Sequence, residues 1–228
     1  ICTFARSQKY HYVGRGSGAN SIVAYCLQIT DVCPIELNLY FERFLNPKRQ
    51  SPPDFDIDFS WNNRDAIYEY IFNKYPKGTV ALMGAMGTFK SRSIIRELGK
   101  IYGLPKNDID RLIRDPENIL NKNEVTNTIQ AVYNEMADFP NQRTIHASGV
   151  IISELPLTYF TALDLPPKGL PTVQFDMYVA EAIGFEKFDI LSQRGIGHIK
   201  DCVDLVYKNK GEVISTENPR RFLTDKRI

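Results

Sequence analysis

The chain has 228 residues, 43% hydrophobic and 24% charged, with a formal net charge of +1; that is enough apolar content for a sizeable core in one or two domains. The near-neutral balance excludes a general polycation, so any nucleic-acid role must rest on local patches. Cys2, Cys26, Cys33 and Cys202 form no Cys-x-x-Cys pair, which reads as reduced thiols of a cytoplasmic protein, and no run of about 18 apolar residues or signal peptide points to a membrane.

His11, His146 and His198 are too scattered for a zinc site. The chain opens at Ile1 and stops at Asp225-Lys226-Arg227-Ile228, so a piece of something larger is expected. Aromatic and β-branched residues predict a short strand over Lys9 to Val13. Gly14-Arg15-Gly16-Ser17-Gly18-Ala19 follows, then a helix from Asn20 to Thr30 with Ile22, Val23, Cys26 and Leu27 on its apolar side, ended by Asp31 to Pro34. Leu37 to Leu45 is aromatic-rich and ambiguous, and Asn46 to Pro53 is a loop carrying Lys48 and Arg49.

Pro53-Asp54-Phe55-Asp56-Ile57-Asp58-Phe59 alternates acid and apolar side chains, the pattern of an extended strand with Asp54, Asp56 and Asp58 on one face. Neighbouring carboxylates repel, and a divalent cation such as Mg²⁺ or Mn²⁺ is the usual compensation. Asp-x-Asp on a strand is therefore a candidate metal anchor for phosphoryl or nucleotidyl transfer. A charged edge strand with one buried face explains the same pattern.

Asn63 to Tyr75 carries Ile67, Tyr68, Ile71 and Phe72 at helical spacing. From Thr88 to about Arg143 the texture is helical. Arg92, Arg96 and Lys100 fall within about 80° on a helical wheel, with Lys90 near the start and Ile94, Ile95, Leu98, Ile101 and Tyr102 on the opposite arc. This basic stripe is either a solvated face or a contact for a nucleic-acid backbone. Asp108 to Arg114 and Glu124 to Met136 are further helices, the second starting near Asn121 or Asn123. Strands are expected at Gly149 to Ser153, Thr172 to Asp176 and Phe185 to Ile190, then a mostly helical tail. In the last strand Lys187 and Asp189 share a face, as a surface pair or as a third metal-side acid with a cation for a triphosphate.

Strand, glycine turn and helix in succession bring free backbone N–H groups and a helix dipole to one point, where phosphate fits. No Lys follows the turn as a Walker loop requires. No second strand ending in an acid follows as a dinucleotide fold requires. A tight turn without ligand remains open. His146, before Ala147-Ser148-Gly149, reads as structural, and Cys26 and Cys33 as unreactive core and loop residues.

A Gly-Ser turn, an Asp-x-Asp strand and a later acid, in that order, resemble nucleotidyltransferases of the polymerase-beta type. The likeness narrows further. Gly14-Arg15-Gly16-Ser17-Gly18 with Ser21 to Leu27, Phe41-Glu42-Arg43-Phe44-Leu45-Asn46-Pro47, the acidic strand, Ile95 to Lys100, His146 to Val150, Gln174-Phe175-Asp176 and Lys187-Phe188-Asp189-Ile190-Leu191 resemble the bacterial DNA polymerase III alpha subunit, the C-family replicative polymerase, from about residue 5 to 205. Leu191-Ser192-Gln193-Arg194 stands where that family usually has Gly-Leu.

The resemblance implies an α/β fold: a polymerase-beta-like palm of mixed sheet and helices (1–87 and 144–190), an inserted helical thumb (88–143) and the start of the fingers (191–228). It implies Asp54, Asp56 and Asp189 as catalytic ligands of two Mg²⁺ ions (Mn²⁺ possible), where periodicity alone could not prefer Asp54 and Asp56 over Asp58. It implies Gly16, Ser17, Arg43, Arg49 and Lys187 at the incoming nucleotide. Lys90, Arg92, Arg96 and Lys100 are the candidate DNA contacts. The function implied is template-directed DNA synthesis from deoxynucleoside triphosphates on primer–template DNA. Sliding-clamp and other replicase contacts belong to parts of such a polymerase outside this chain, and weak activity is expected of the chain alone. The alternatives are a nucleotidyltransferase acting on a small molecule or tRNA, and a non-catalytic DNA-binding module.

Overall fold

The computed structural model describes residues 1–49, 52–115 and 123–216. Part of the loop before Pro53, Asn121 and the end of the tail lie outside the described residues. Helices and strands follow in chain order as α1 (Cys2–Ser7), β1 (Tyr12–Arg15), α2 (Ile22–Cys26), β2 (Asp56–Ser60), α3 (Arg64–Lys74), β3 (Val80–Thr88), α4 (Ser91–Ile101) and α5 (Lys106–Arg114). They continue as α6 (Glu124–Met136), β4 (Pro140–Ile152), β5 (Leu163–Asp164), β6 (Thr172–Val173), α7 (Met177–Ala182), β7 (Lys187–Gln193) and α8 (Arg194–Lys210), with 3₁₀ turns at Ser17–Asn20, Phe41–Arg43 and Leu157–Tyr159. The class is α/β with a mixed sheet, as expected. By Cα proximity the chain divides into two compact units. One holds Ile1–Ala81, Ala147–Tyr159 and the chain from Phe185 onward; the other holds Leu82–His146 and Phe160–Gly184. Strands β3 and β4 contribute residues to both.

In the first unit the strands run β1-β2-β7-β4. Strand β2 is antiparallel to β1, with Arg15 opposite Asp56, and parallel to β7, with Asp56 opposite Asp189. Gly149 of β4 lies opposite Asp189 on the other side of β7. Strand β2 is thus interior, which removes the edge-strand explanation of its acids. Its apolar side chains and those of α3 make the core: Phe59, Ile67, Ile71, Val150, Ile151 and Ile190 are fully buried. The Tyr68 hydroxyl donates to the Ile190 carbonyl at 3.4 Å, tying α3 to β7.

Several expectations shift here. The first strand starts at Tyr12, because Lys9 turns with φ +57° after the unforeseen helix α1. The helix expected over Asn20 to Thr30 is only α2: Ser21 caps it by accepting from the Val23 amide at 3.1 Å, and Gln28 with φ +57° ends the segment. Ala24 is its buried residue, whereas Ile22, Val23, Leu27 and Cys26 are exposed, contrary to the apolar side assigned to them. A helix this short presents one residue inward rather than a stripe. Strand β2 begins at Asp56, so Asp54 and Phe55 lead into it, and β7 runs from Lys187 to Gln193 rather than over Phe185 to Ile190.

In the second unit the strands run β4-β3-β6-β5. Strand β3 was unforeseen because Ala, Met and Gly in Val80–Thr88 are poor strand formers. Strand β4 is longer than expected and includes His146. Only Thr172–Val173 is strand where Thr172 to Asp176 was expected; Asp176 instead caps α7, accepting at 3.1 Å from the amides of Tyr178 and Val179. Helices α4, α5 and α6 share a core of Ile94, Ile95, Leu98, Leu112 and Ile129. Asn123, not Asn121, caps α6, accepting from the Thr126 amide at 2.8 Å while Thr126 answers at the Asn123 amide. Ile101 and Tyr102 are exposed, because they sit at the end of α4 beyond its packed stretch.

Candidate active site

The glycine turn and the lead-in to β2 close on each other. Gly16 has φ +89°, and a β-carbon there would come within 2.6 Å of the Asp54 carbonyl, so only glycine fits. Its conformation lets the Ser17 amide donate to Asp54 Oδ1 at 3.1 Å and the Gly18 amide to the Asp54 carbonyl at 2.8 Å. The Ser17 hydroxyl also bonds Asp54 Oδ1, and the Arg49 guanidinium lies 3.4 Å from the same oxygen. These bonds, the Ser17 hydroxyl foremost, hold the exposed Asp54 carboxyl below its ordinary range. The turn's amides are therefore engaged, contrary to the expectation of free N–H groups, and α2 is too short to add much dipole. What remains is a set of donors satisfied by a carboxylate, the kind of set that also donates to a phosphate oxygen. The Phe41–Arg43 turn packs against Ser17–Asn20, with Arg43 exposed.

One step along the chain, Asp56 and Asp189 face each other in register across β2 and β7. Burial pushes the Asp56 carboxyl up, and the charge of Asp189 adds to the rise; Arg15 opposes it, and Asp54 contributes again. The Arg15 guanidinium lies 3.0 Å from Asp56 Oδ2 through Nη1, and its Nε donates to Asp58 Oδ2 at 2.7 Å. Asp189 accepts from the Ser148 hydroxyl at 2.6 Å and pairs with Lys187, with only 13% of the Asp189 side chain exposed. Lys187 and Asp189 are thus no ordinary surface pair. Arg64 steadies the approach to Ser148 by donating to the Ala147 carbonyl at 3.1 Å.

The sequence did not single out Ser148, and the resemblance gave Asp58 no role. Asp58 is 3% exposed and Ser148 4%. Their burial depends on pairing between distant strands, for which the local pattern carries no signal.

Of the expected DNA contacts, Arg92 and Arg96 are exposed on α4. Lys100 is paired with Glu97 at 2.6 Å and Lys90 with Asp138. All belong to the second unit.

Residues 1–192 match the family model described as the bacterial DNA polymerase III alpha NTPase domain. The chain belongs to this DNA polymerase III alpha family. It is 36% identical over 211 residues to DNA polymerase III subunit alpha of Borreliella burgdorferi, covering 85% of this chain and 18% of that protein. It is 36% identical over 223 residues to the error-prone DNA polymerase of Symbiobacterium thermophilum, covering 89% and 20%. Against the error-prone DNA polymerase of Vibrio campbellii it is 30% identical over 248 aligned residues, covering 100% and 24%. The chain therefore spans about a fifth of the length of these relatives.

Among the described residues no three His, Cys, Asp or Glu side chains converge as a ready-made metal cage. The donor set still fits Mg²⁺, which takes one or two carboxylates and completes its shell with water and substrate phosphates. Asp56 and Asp189 are such a pair, and the rise at Asp56, caused first by burial and then by the charge of Asp189, is one that a cation would oppose.

Proposed function

We propose that this chain carries the nucleotidyl-transfer centre of a DNA polymerase of the III alpha type, joining a primer 3′-hydroxyl to the α-phosphate of a deoxynucleoside triphosphate. The observation that supports it best is the register pairing of Asp56 with Asp189 on parallel strands, bordered by Ser17, Lys187 and Arg15. Asp54, Asp56 and Asp189 would hold two Mg²⁺ ions, with Mn²⁺ as a substitute. Cations held there would supply a lowered pKa at the attacking hydroxyl and positive charge for the departing pyrophosphate.

The chain's own residues supply the rest. The Ser17 amide and hydroxyl, now on Asp54, are donors for a triphosphate oxygen, with Gly16 keeping the backbone close. Lys187, Arg49 and the exposed Arg43 add fixed positive charge where phosphate charge must be offset. Ser148 and Lys187 orient Asp189, so the acid need not reorganise when the substrate arrives. In this reading 1–87 and 144–190 would be the palm, 88–143 an inserted thumb, and 191–228 the start of the fingers. Arg92, Arg96, Lys90 and Lys100 would take the phosphate backbone of primer–template DNA. Clamp and replicase contacts would fall to other parts of the polymerase, and the setting would be the cytoplasm; no helix among the described residues is long and apolar enough to cross a membrane.

The test is calorimetric titration of a deoxynucleoside triphosphate, with and without Mg²⁺, into this chain and into a variant carrying Asp54→Ala and Asp56→Ala. Binding that needs both the metal and the aspartates supports the assignment. Binding indifferent to either would sink it.

A further inference from the structure

Asp58 is the acid of the motif that the proposed chemistry leaves idle, and it is the most deeply placed. Its Oδ2 accepts from Arg15 Nε at 2.7 Å and from Gln193 Nε2 at 2.8 Å. Its Oδ1 is buried and has no hydrogen-bond partner among the described residues. A buried carboxylate with an orphaned oxygen costs stability compared with an apolar residue of the same size. Its consequence for the site lies in Arg15, whose one positive charge is divided between Asp58 and Asp56. Around the acid pair, Asp56, Asp58 and Asp189 face Arg15 and Lys187, which leaves one net negative charge.

We propose that Asp58, seconded by Gln193, is a positioning residue that holds the Arg15 guanidinium and draws its charge away from Asp56, so that the Asp56–Asp189 pair keeps the negative field a divalent cation needs. The role rests on the reading that Asp56 and Asp189 hold that cation. Without the Asp58 charge, Arg15 would neutralise Asp56 and the cluster would have no net charge to offer. A purely structural Asp58–Arg15 ion pair makes a different forecast, because removing either partner of such a pair does the same kind of damage.

Manganese is the probe: Mn²⁺ binding to the 228-residue chain, without nucleotide, is followed by the electron paramagnetic resonance of the free ion, with circular dichroism as the check on folding. Asp58→Asn keeps the shape of the side chain and should weaken Mn²⁺ binding about tenfold, the scale of one unit charge a few ångströms away in a partly solvated site. Arg15→Gln should tighten it about fivefold on the same basis. The double variant restores the wild-type charge and should return within about twofold of wild-type affinity. Should Asp58→Asn fail to fold, the sign of the Arg15→Gln change still decides. Weakening by Arg15→Gln, or unchanged affinity in a folded Asp58→Asn, overturns the proposal while leaving the metal reading intact. No Mn²⁺ binding by the wild-type chain, or binding unaffected by Asp189→Ala, overturns the metal reading and the role of Asp58 with it.

Discussion

Replacing Ser148 by alanine removes the hydroxyl that donates to Asp189 Oδ1 at 2.6 Å. Both ends of that bond are largely withdrawn from water: Ser148 is 4% exposed and the Asp189 side chain 13%. Solvent can therefore replace the lost donor only in part. A hydrogen bond to a charged group contributes roughly 1.5–3 kcal/mol, and leaving a buried acceptor short of a partner costs a similar amount. Lys187 still pairs with the carboxylate, so a loss of about 2 kcal/mol is expected. Ser60 provides the internal contrast. It is 0% exposed, and its hydroxyl has no partner among the described residues. Ser60→Ala deletes an unsatisfied polar group and should leave stability unchanged or raise it by up to about 1 kcal/mol. Urea unfolding at pH 7 reads both, followed through the fluorescence of Trp61, the single tryptophan, which lies beside Gly197 in the same unit. The m-value should not change. Equal losses in the two variants, or a Ser148→Ala loss below about 0.5 kcal/mol, would refute the assignment of that bond as a support of the acid pair.

Gly16→Ala should cost about 1–3 kcal/mol through its positive φ and, by pressing on the Asp54 carbonyl, weaken triphosphate binding as well; urea midpoints and calorimetry would show whether both fall together. Tyr12 is pushed up to about 12, chiefly by burial, whereas an unfolded phenol titrates near about 10. Below pH 10 both states are protonated, and between about 10 and about 12 only the unfolded chain releases its proton, so stability is lost across that window as pH rises. Tyr12→Phe should flatten the alkaline unfolding profile, and parallel profiles for the two proteins would contradict the shift. Arg92→Ala and Arg96→Ala should each reduce the slope of log affinity against log salt for primed duplex DNA by about 0.9; an unchanged slope would mean that this face of α4 does not meet phosphate.

Legibility in the sequence followed the range of the interactions. The Asp-x-Asp strand, the Gly-Ser turn, α3 and the buried arc of α4 are local patterns, and each stands close to where the sequence put it. Strand β3 was hidden because Met83, Gly84, Ala85 and Met86 carry no strand preference and are held by neighbouring strands instead. The amides of Ser17 and Gly18 were expected to be free, since nothing local reveals that Asp54 folds back to accept them. Asp58 was out of reach for the same reason: its partners Arg15 and Gln193 come from β1 and the end of β7.

A period of two makes Asp54, Asp56 and Asp58 chemically equivalent, yet β2 runs from solvent into the core, and depth separates them. Asp54 stays exposed, and its hydrogen bonds from Ser17 hold its carboxyl low. Asp56, with 15% of its side chain exposed, is pushed up by burial and by Asp189. Asp58, 3% exposed, is balanced by Arg15. Burial and the charge of Asp189 thus set a cost on ionising Asp56 that a cation would offset. Because Arg15 touches both Asp56 and Asp58, any charge change at the deepest acid reaches the middle one directly. The same three-acid repeat placed flat on a solvated edge would give three similar carboxylates and no such coupling.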